Sequence, residues 1–196
     1  AAGVGDTSWS IAATFLDLDA DDDLDIFVVN YLHWSKSIEQ DCYGKAFFIT
    51  YCGPTVYEAP AMDRLYRNNG DGTFTDITKD AGMNVAFGNG LGTVGADFNR
   101  DGLIDIFVAN DTLVNQLWIN QGDLTFTEEC LLWSCAMDSN GIAKAGMGVA
   151  SADVDDDADP DLLVVNIVRQ SDSFFRNEGD YFFDATGRVG IRPISM

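Results

Sequence analysis

Three segments of the 196-residue chain align without a gap, and this repetition limits the architecture more than any other feature. The first reads Asp17-Leu-Asp19-Ala-Asp21-Asp-Asp23-Leu-Asp25 and continues Ile26-Phe-Val-Val-Asn30. The second is Asp97-Phe-Asn99-Arg-Asp101-Gly-Leu103-Ile-Asp105, then Ile106-Phe-Val-Ala-Asn110. The third is Asp153-Val-Asp155-Asp-Asp157-Ala-Asp159-Pro-Asp161, then Leu162-Leu-Val-Val-Asn166. A second block follows each: Leu65-Tyr-Arg-Asn-Asn-Gly-Asp-Gly-Thr-Phe74, Leu117-Trp-Ile-Asn-Gln-Gly-Asp-Leu-Thr-Phe126 and Phe174-Phe-Arg-Asn-Glu-Gly-Asp-Tyr-Phe-Phe183. Small and apolar lead-ins precede the Asp blocks at 11–16, 91–96 and 147–152. Self-similarity on this scale marks an array of stacked units.

Each part of the unit reads as β-structure. Ile26–Val29, Ile106–Ala109 and Leu162–Val165 are short apolar runs rich in branched residues, the pattern of a strand covered on both faces. Asn68-Asn-Gly-Asp-Gly72 is a hairpin turn, because Asn and Gly tolerate positive φ. The result is an all-β chain of three four-stranded units of propeller-blade size. No 3.6-residue period runs through them, which excludes a helical solenoid. The expected boundaries are about 10–80 for blade 1, about 88–130 for blade 2 and about 146–190 for blade 3. Blade 1 carries an insertion over about 31–63, and a link over about 130–145 joins blades 2 and 3.

The charge points to the loops. Of 32 acidic residues 27 are Asp, against 11 basic residues and a net charge of −21. Glu serves solubility and helices equally well, whereas Asp favours turns and short-reach oxygen coordination. The three nine-residue loops hold 15 of those acids and one base, Arg100. Carboxylates at positions 1, 3, 5 and 9 of a curled loop converge on one point, and position 7 adds a backbone carbonyl. The candidate ligands are Asp17, Asp19, Asp21, Asp23 and Asp25; Asp97, Asn99, Asp101, Leu103 and Asp105; and Asp153, Asp155, Asp157, Asp159 and Asp161. A hard cation offsets their repulsion, and Ca2+, with six to eight oxygens and loose geometry, ranks above octahedral Mg2+. About three sites are expected. An EF-hand needs Glu at position 12 and flanking helices, but position 12 is Val28, Val108 and Val164 and the flanks are strands. Only the middle loop has Gly at position 6, Gly102; the others are read as having Asp22 and Asp156 there, where Asp adopts the left-handed region at some strain.

The pattern Asp-x-Asp/Asn-x-Asp-Gly-x-x-Asp followed by an apolar strand resembles the FG-GAP and VCBS repeats, the calcium-binding blades of integrin α-like propellers. With the 63–74 segment and the Tyr51-Cys-Gly-Pro54 insert, the chain resembles the cartilage acidic protein family, in which such propellers accompany an ASPIC/UnbV domain. The resemblance implies a seven-bladed propeller, of which these are three blades, with structural Ca2+ and a role in adhesion or protein interaction. It also implies further blades, and an ASPIC/UnbV domain, in a longer chain. The opening at Ala1, without Met, is read as the start of a fragment lacking its natural N-terminus and any signal peptide.

Other functions find little support. Scattered Lys and Arg disfavour nucleic acid, and no apolar stretch reaches the roughly 18 residues of a membrane span. No catalytic motif is found. Gly90-Leu-Gly92-Thr-Val-Gly95 has the dinucleotide spacing but runs into an Asp loop instead of opening a helix. The single histidine, His33, lies beside Trp34 in the insert and is read as a loop residue. A carbohydrate-active propeller, lectin or lyase, is the alternative, as is a scaffold portion of a larger secreted enzyme. The cysteines form two local pairs, Cys42 with Cys52 and Cys130 with Cys135. Two disulfide staples and an extracellular, cell-surface or periplasmic location are expected; a four-cysteine zinc site is the rival, without CxxC knuckles.

Overall fold

The computed structural model describes residues 1–44, 48–85 and 87–190. Among these, three antiparallel four-stranded sheets account for nearly all regular structure. The first has the order β1 (Ser10–Leu16), β2 (Asp25–Asn30), β5 (Arg64–Asn68), β6 (Phe74–Asp76). The second runs β7 (Gly90–Ala96), β8 (Asp105–Asn110), β9 (Gln116–Asn120), β10 (Phe126–Glu128). The third runs β11 (Gly146–Ala152), β12 (Asp161–Asn166), β13 (Ser173–Asn177), β14 (Phe182–Asp184). The chain is therefore all-β, with each sheet an up-and-down meander. Strands β3 (Cys42–Tyr43) and β4 (Ile49–Thr50) pair as a small ribbon in the insert, of which 45–47 lie outside the described residues.

The sheets stack face to face, which explains why the apolar runs lack polar alternation. In β8, Ile106 and Val108 join Phe27, Val29 and Leu65 of the first sheet, together with Trp118. Phe107 and Ala109 turn the other way and join Leu162, Val164 and Phe175 of the third. Every residue of β8 and β9 is buried as a result. Each such side chain withdrawn from water contributes about 1.5–3 kcal/mol.

The first strands approach closest. A Cβ on Gly92 would stand 2.7 Å from the Gly148 Cα, backbone against backbone, so glycine is required at this crossing. This assigns the G-x-G-x-x-G string a packing role: it lies within a strand and opens no helix. Gly92→Ala is expected to destabilise the chain by about 1–3 kcal/mol, because neither backbone can retreat. Urea unfolding with an unchanged m-value checks this.

Side chains also tie neighbouring sheets. Asn120 Nδ2 donates to the Leu18 carbonyl in the Asp loop of the first sheet (2.9 Å), and Asn177 Nδ2 donates to the Phe98 carbonyl in that of the second (2.9 Å). At the outer strands, Phe126 N–H donates to the Ala81 carbonyl (2.9 Å) and Phe182 N–H to the Trp133 carbonyl (2.7 Å). The same two ties at the same repeat positions give each neighbouring pair of sheets one relative placement.

The two cysteine pairs behave differently. Cys42 and Cys52 form a disulfide with a Cα separation of 5.2 Å, within the expected range. The expected Cys130–Cys135 disulfide is not made: both are buried thiols with sulfurs 3.0 Å apart. The repeat explains their place. Cys130 N–H bonds Glu128 (3.0 Å) just as Thr78 N–H bonds Asp76 and Thr186 N–H bonds Asp184, so Cys130 occupies a core position where the other repeats carry Thr. Burial pushes the Cys130 thiol up, with the neighbouring Cys135 adding to the shift, so it packs as a small apolar group.

Candidate metal centre

Each Asp loop joins the first strand of a sheet to the second, and its shape follows from one set of hydrogen bonds repeated three times. The position-1 carboxylate accepts from the N–H groups of positions 5 and 6: Asp17 from Asp21 and Asp22 (3.2 and 3.3 Å), Asp97 from Asp101 and Gly102 (3.0 and 2.9 Å), Asp153 from Asp157 and Ala158 (3.1 and 2.9 Å). The position-5 carboxylate accepts from the N–H of position 7: Asp21 from Asp23, Asp101 from Leu103, Asp157 from Asp159. These closures curl the loop. They hold two residues in the left-handed region, at position 4 (Ala20, Arg100, Asp156) and at position 6 (Asp22, Gly102, Ala158). Position 6 of the third loop is thus Ala158, and Asp156 occupies position 4. Only Gly102 is free of the cost of that geometry.

The curl brings carboxylates together. Oxygens of Asp17, Asp19 and Asp21 lie within 4.8 Å of one another, and so do those of Asp153, Asp155 and Asp157. Opposite oxygens of one calcium shell stand about 5 Å apart, so each trio fits around a single ion. Asp19 Oδ1 is buried and has no hydrogen-bond partner, which favours a cation at that point. Burial and then the Asp21 and Asp17 charges raise the Asp19 carboxyl above the usual range. In the middle loop Asn99 replaces one carboxylate, and its amide donates to Asp101 (2.9 Å). The donor set is all oxygen, hard, and suited to Ca2+.

Position 9 has a second task. Asp25, Asp105 and Asp161 are each about 1% exposed or less. Both oxygens of each accept backbone N–H groups. Asp105 takes Asn120 N–H (2.8 Å) from β9 and Phe98 N–H (2.9 Å) from loop position 2. Asp25 takes those of Asn68 (2.8 Å) and Leu18 (3.4 Å), and Asp161 those of Asn177 (2.9 Å) and Val154 (3.1 Å). Position 9 therefore clamps its loop to the third strand. Burial pushes the Asp105 carboxyl up to about 7, opposed by the two N–H bonds and reinforced by Asp101 and Asp97.

Three kinds of contributor were missed from sequence. Asn68, Asn120 and Asn177 accept the N–H of the Gly two residues on (3.0 Å each), which shapes the turn facing the loop. Their signal was visible, since each precedes its Gly at the same spacing. Arg100, counted in the sequence only as the one base of the three loops, reaches the third: its Nη2 donates to the Asp157 carbonyl (2.9 Å) and its Nε pairs with Asp159. The acceptor for the N–H of Asn30, Asn110 and Asn166 is likewise repeated, as Asp63 (2.8 Å), Asn115 (3.2 Å) and Asp172 (2.9 Å).

Asp63 supports a prediction. Burial raises its carboxyl to about 7, against the Asn30 N–H bond. Between about pH 4 and 7 the folded chain therefore keeps a proton there that the unfolded chain releases, and stability falls as pH rises through that window. Asp63→Asn, the amide already present at Asn115, is expected to remove this residue's share of the slope, Asp105 keeping its own, and to leave the variant more stable than wild type at pH 8. Paired urea titrations at pH 4.5 and 8 check the sign.

Comparison with known proteins agrees with this geometry. A family model described as the FG-GAP-like repeat matches residues 55–108 and 97–164. The chain belongs to the FG-GAP-like repeat family. The two matches meet at the middle Asp loop, and each ends in an apolar second strand, β8 or β12. The chain is also similar to cartilage acidic protein 1: 31% identical over 112 residues to the human protein and 30% to that of Xenopus tropicalis. The match covers 56% of this chain and 16% of each relative's length.

Proposed function

We propose that this chain is an arc of a calcium-loaded β-propeller that works as a non-catalytic, extracellular interaction module. The observation that carries the reading is the threefold recurrence of one oxygen-rich loop on one hydrogen-bond scaffold. A solvated acidic loop has no reason to keep the same closures three times. In this reading the blades are about 10–80, about 88–130 and about 146–190, and the face-to-face stacking supports their arrangement around an axis. Seven blades in the full ring, and adhesion as the setting, follow from the resemblance to the integrin α-like repeat. The ligands are the position 1, 3 and 5 side chains, the position 7 carbonyl and the free lone pairs of position 9. The bound ion supplies positive charge that cancels the repulsion of these carboxylates; the chain's residues curl the loop and hold it to the third strand. The Cys42–Cys52 disulfide supports an oxidising compartment. Among the described residues no helix is long and apolar enough to cross a membrane.

Calorimetric titration of the chelated protein is expected to give about three calcium ions per chain. Asp19→Ala and Asp155→Ala are each expected to remove one. Binding of fewer than one ion per chain at millimolar calcium overturns the reading.

A further inference from the structure

The insert of the first repeat builds a second site that the calcium reading does not use. Trp9, on the approach to β1, and Tyr31, just past β2, meet edge to face with ring centroids 5.6 Å apart and planes at 86°. Trp34 adds a further wall, 6.5 Å from Trp9 and at 74° to it. Tyr57, Leu32, Pro54 and Cys52, which the disulfide ties to Cys42, complete a cavity of about 490 Å³, and Glu39 is the one carboxylate in its lining. Trp9 and Trp34 remain 48% and 44% exposed, a large apolar area to leave in water on so acidic a chain.

The polar groups are held in place. Trp34 Nε1 donates to Glu39 Oε2 (2.7 Å) and the Tyr57 hydroxyl donates to Glu39 Oε1 (3.3 Å), so both carboxylate oxygens are anchored by walls of the cavity. The Tyr31 hydroxyl donates to Asp111 of the second sheet (2.7 Å), which fixes that ring. His33 N–H donates to the Ala59 carbonyl (2.9 Å), and Leu32 bridges Pro60, so both ends of the insert are tied beside β2. Among the described residues Glu39 joins no ion pair.

We infer that this cavity binds a quaternary ammonium group, with Trp9, Trp34 and Tyr31 as aromatic walls and Glu39 as counter-charge. Trp9, Trp34 and Tyr31 all line the cavity, and the aromatic surface that their edge-to-face packing leaves uncovered attracts a cation. The net charge of −21 acts in the same direction. The number of acceptors selects the kind of cation. A primary ammonium brings three N–H donors and a guanidinium five, and one carboxylate already engaged on both oxygens leaves most of them unmet. A quaternary ammonium has no N–H to satisfy and meets the cavity with methyl groups. The inference is independent of calcium at the Asp loops.

Tryptophan fluorescence and calorimetry of the intact protein, with choline chloride, trimethyl-lysine and 3,3-dimethylbutanol as probes, test this. The last is the neutral isostere of choline. Saturable binding of a cation with none of the isostere is expected; the two cationic probes tell a small head group from a side-chain source. Trp34→Ala is expected to weaken binding by about tenfold or more. Glu39→Gln, an exposed and isosteric change, is expected to weaken it several-fold while circular dichroism stays unchanged. Reduction of the disulfide is expected to weaken it as well. Equal binding of the isostere, binding of cello-oligosaccharides in place of the cations, or no binding of any probe overturns the inference.

Discussion

Calcium added to the chelated protein is expected to raise its thermal midpoint by on the order of 20 °C, if all three loops fill at a hundredfold over their dissociation constants. A ligand held only by the folded chain adds about 2.7 kcal/mol per site at that excess, and a domain of this size moves about 2–4 °C per kcal/mol. The three contributions should differ. The first loop carries six Asp and no base, the second three Asp and Arg100, so the first is expected to fill at the lowest calcium concentration. The third also carries six Asp, but Arg100 on Asp157 and Asp159 already places a cation in its rim. Asp19→Ala gives the cleanest dissection. Asp19 Oδ1 has no partner and the neighbouring charges oppose it, so the variant should be at least as stable as wild type in EDTA and lose about a third of the calcium-dependent gain. Scanning calorimetry in EDTA and in 2 mM calcium makes the comparison. An unchanged wild-type midpoint removes the structural-metal proposal.

Much of this site was legible because repetition does what an alignment of many sequences otherwise does. One Asp loop is an acidic turn; three with the same spacing define which positions are held and which drift. The β assignment followed equally directly, since Ile106–Ala109 is too short for a helix and too apolar for an exposed strand. What stayed hidden depended on direction and distance. Sequence treats Asp97 and Asp105 as equivalent ligands, but only burial shows that Asp105 faces inward and meets two backbone N–H groups. Arg100 reads as part of its own loop because nothing local announces a contact 57 positions away. Cys130 and Cys135 read as a staple by their spacing, while the repeat places Cys130 at a core position held elsewhere by Thr78 and Thr186. The aromatic cavity was invisible for the same reason: Trp9, Trp34 and Tyr57 come together only once the insert folds back on β1 and β2.

Asp105→Ala should be the most damaging single substitution in the loops, costing about 2–5 kcal/mol even in EDTA. Its carboxylate is fully buried, and its loss leaves the N–H groups of Asn120 and Phe98 without acceptors. Each orphaned buried donor costs about 1–3 kcal/mol, and the apolar surroundings admit little water to replace the oxygens. The effect extends to the neighbouring sheet. The Asn120 side chain holds the Leu18 and Ile104 carbonyls (2.9 and 3.1 Å), and the Phe98 carbonyl receives Asn177, so releasing either backbone loosens a tie between sheets. Relief of a desolvated charge, whose carboxyl burial has pushed up to about 7, works the other way and keeps the loss below the sum of the two bonds. Asp105→Asn separates these terms. Its amide oxygen still accepts one N–H while its NH2 confronts the other, so it should fall between wild type and Ala. Urea unfolding in EDTA resolves the order, because no ion is present to confuse clamp with ligand. If Asp105→Ala costs less than about 1 kcal/mol there, position 9 is a metal ligand alone and the loops are held to the third strands by something else.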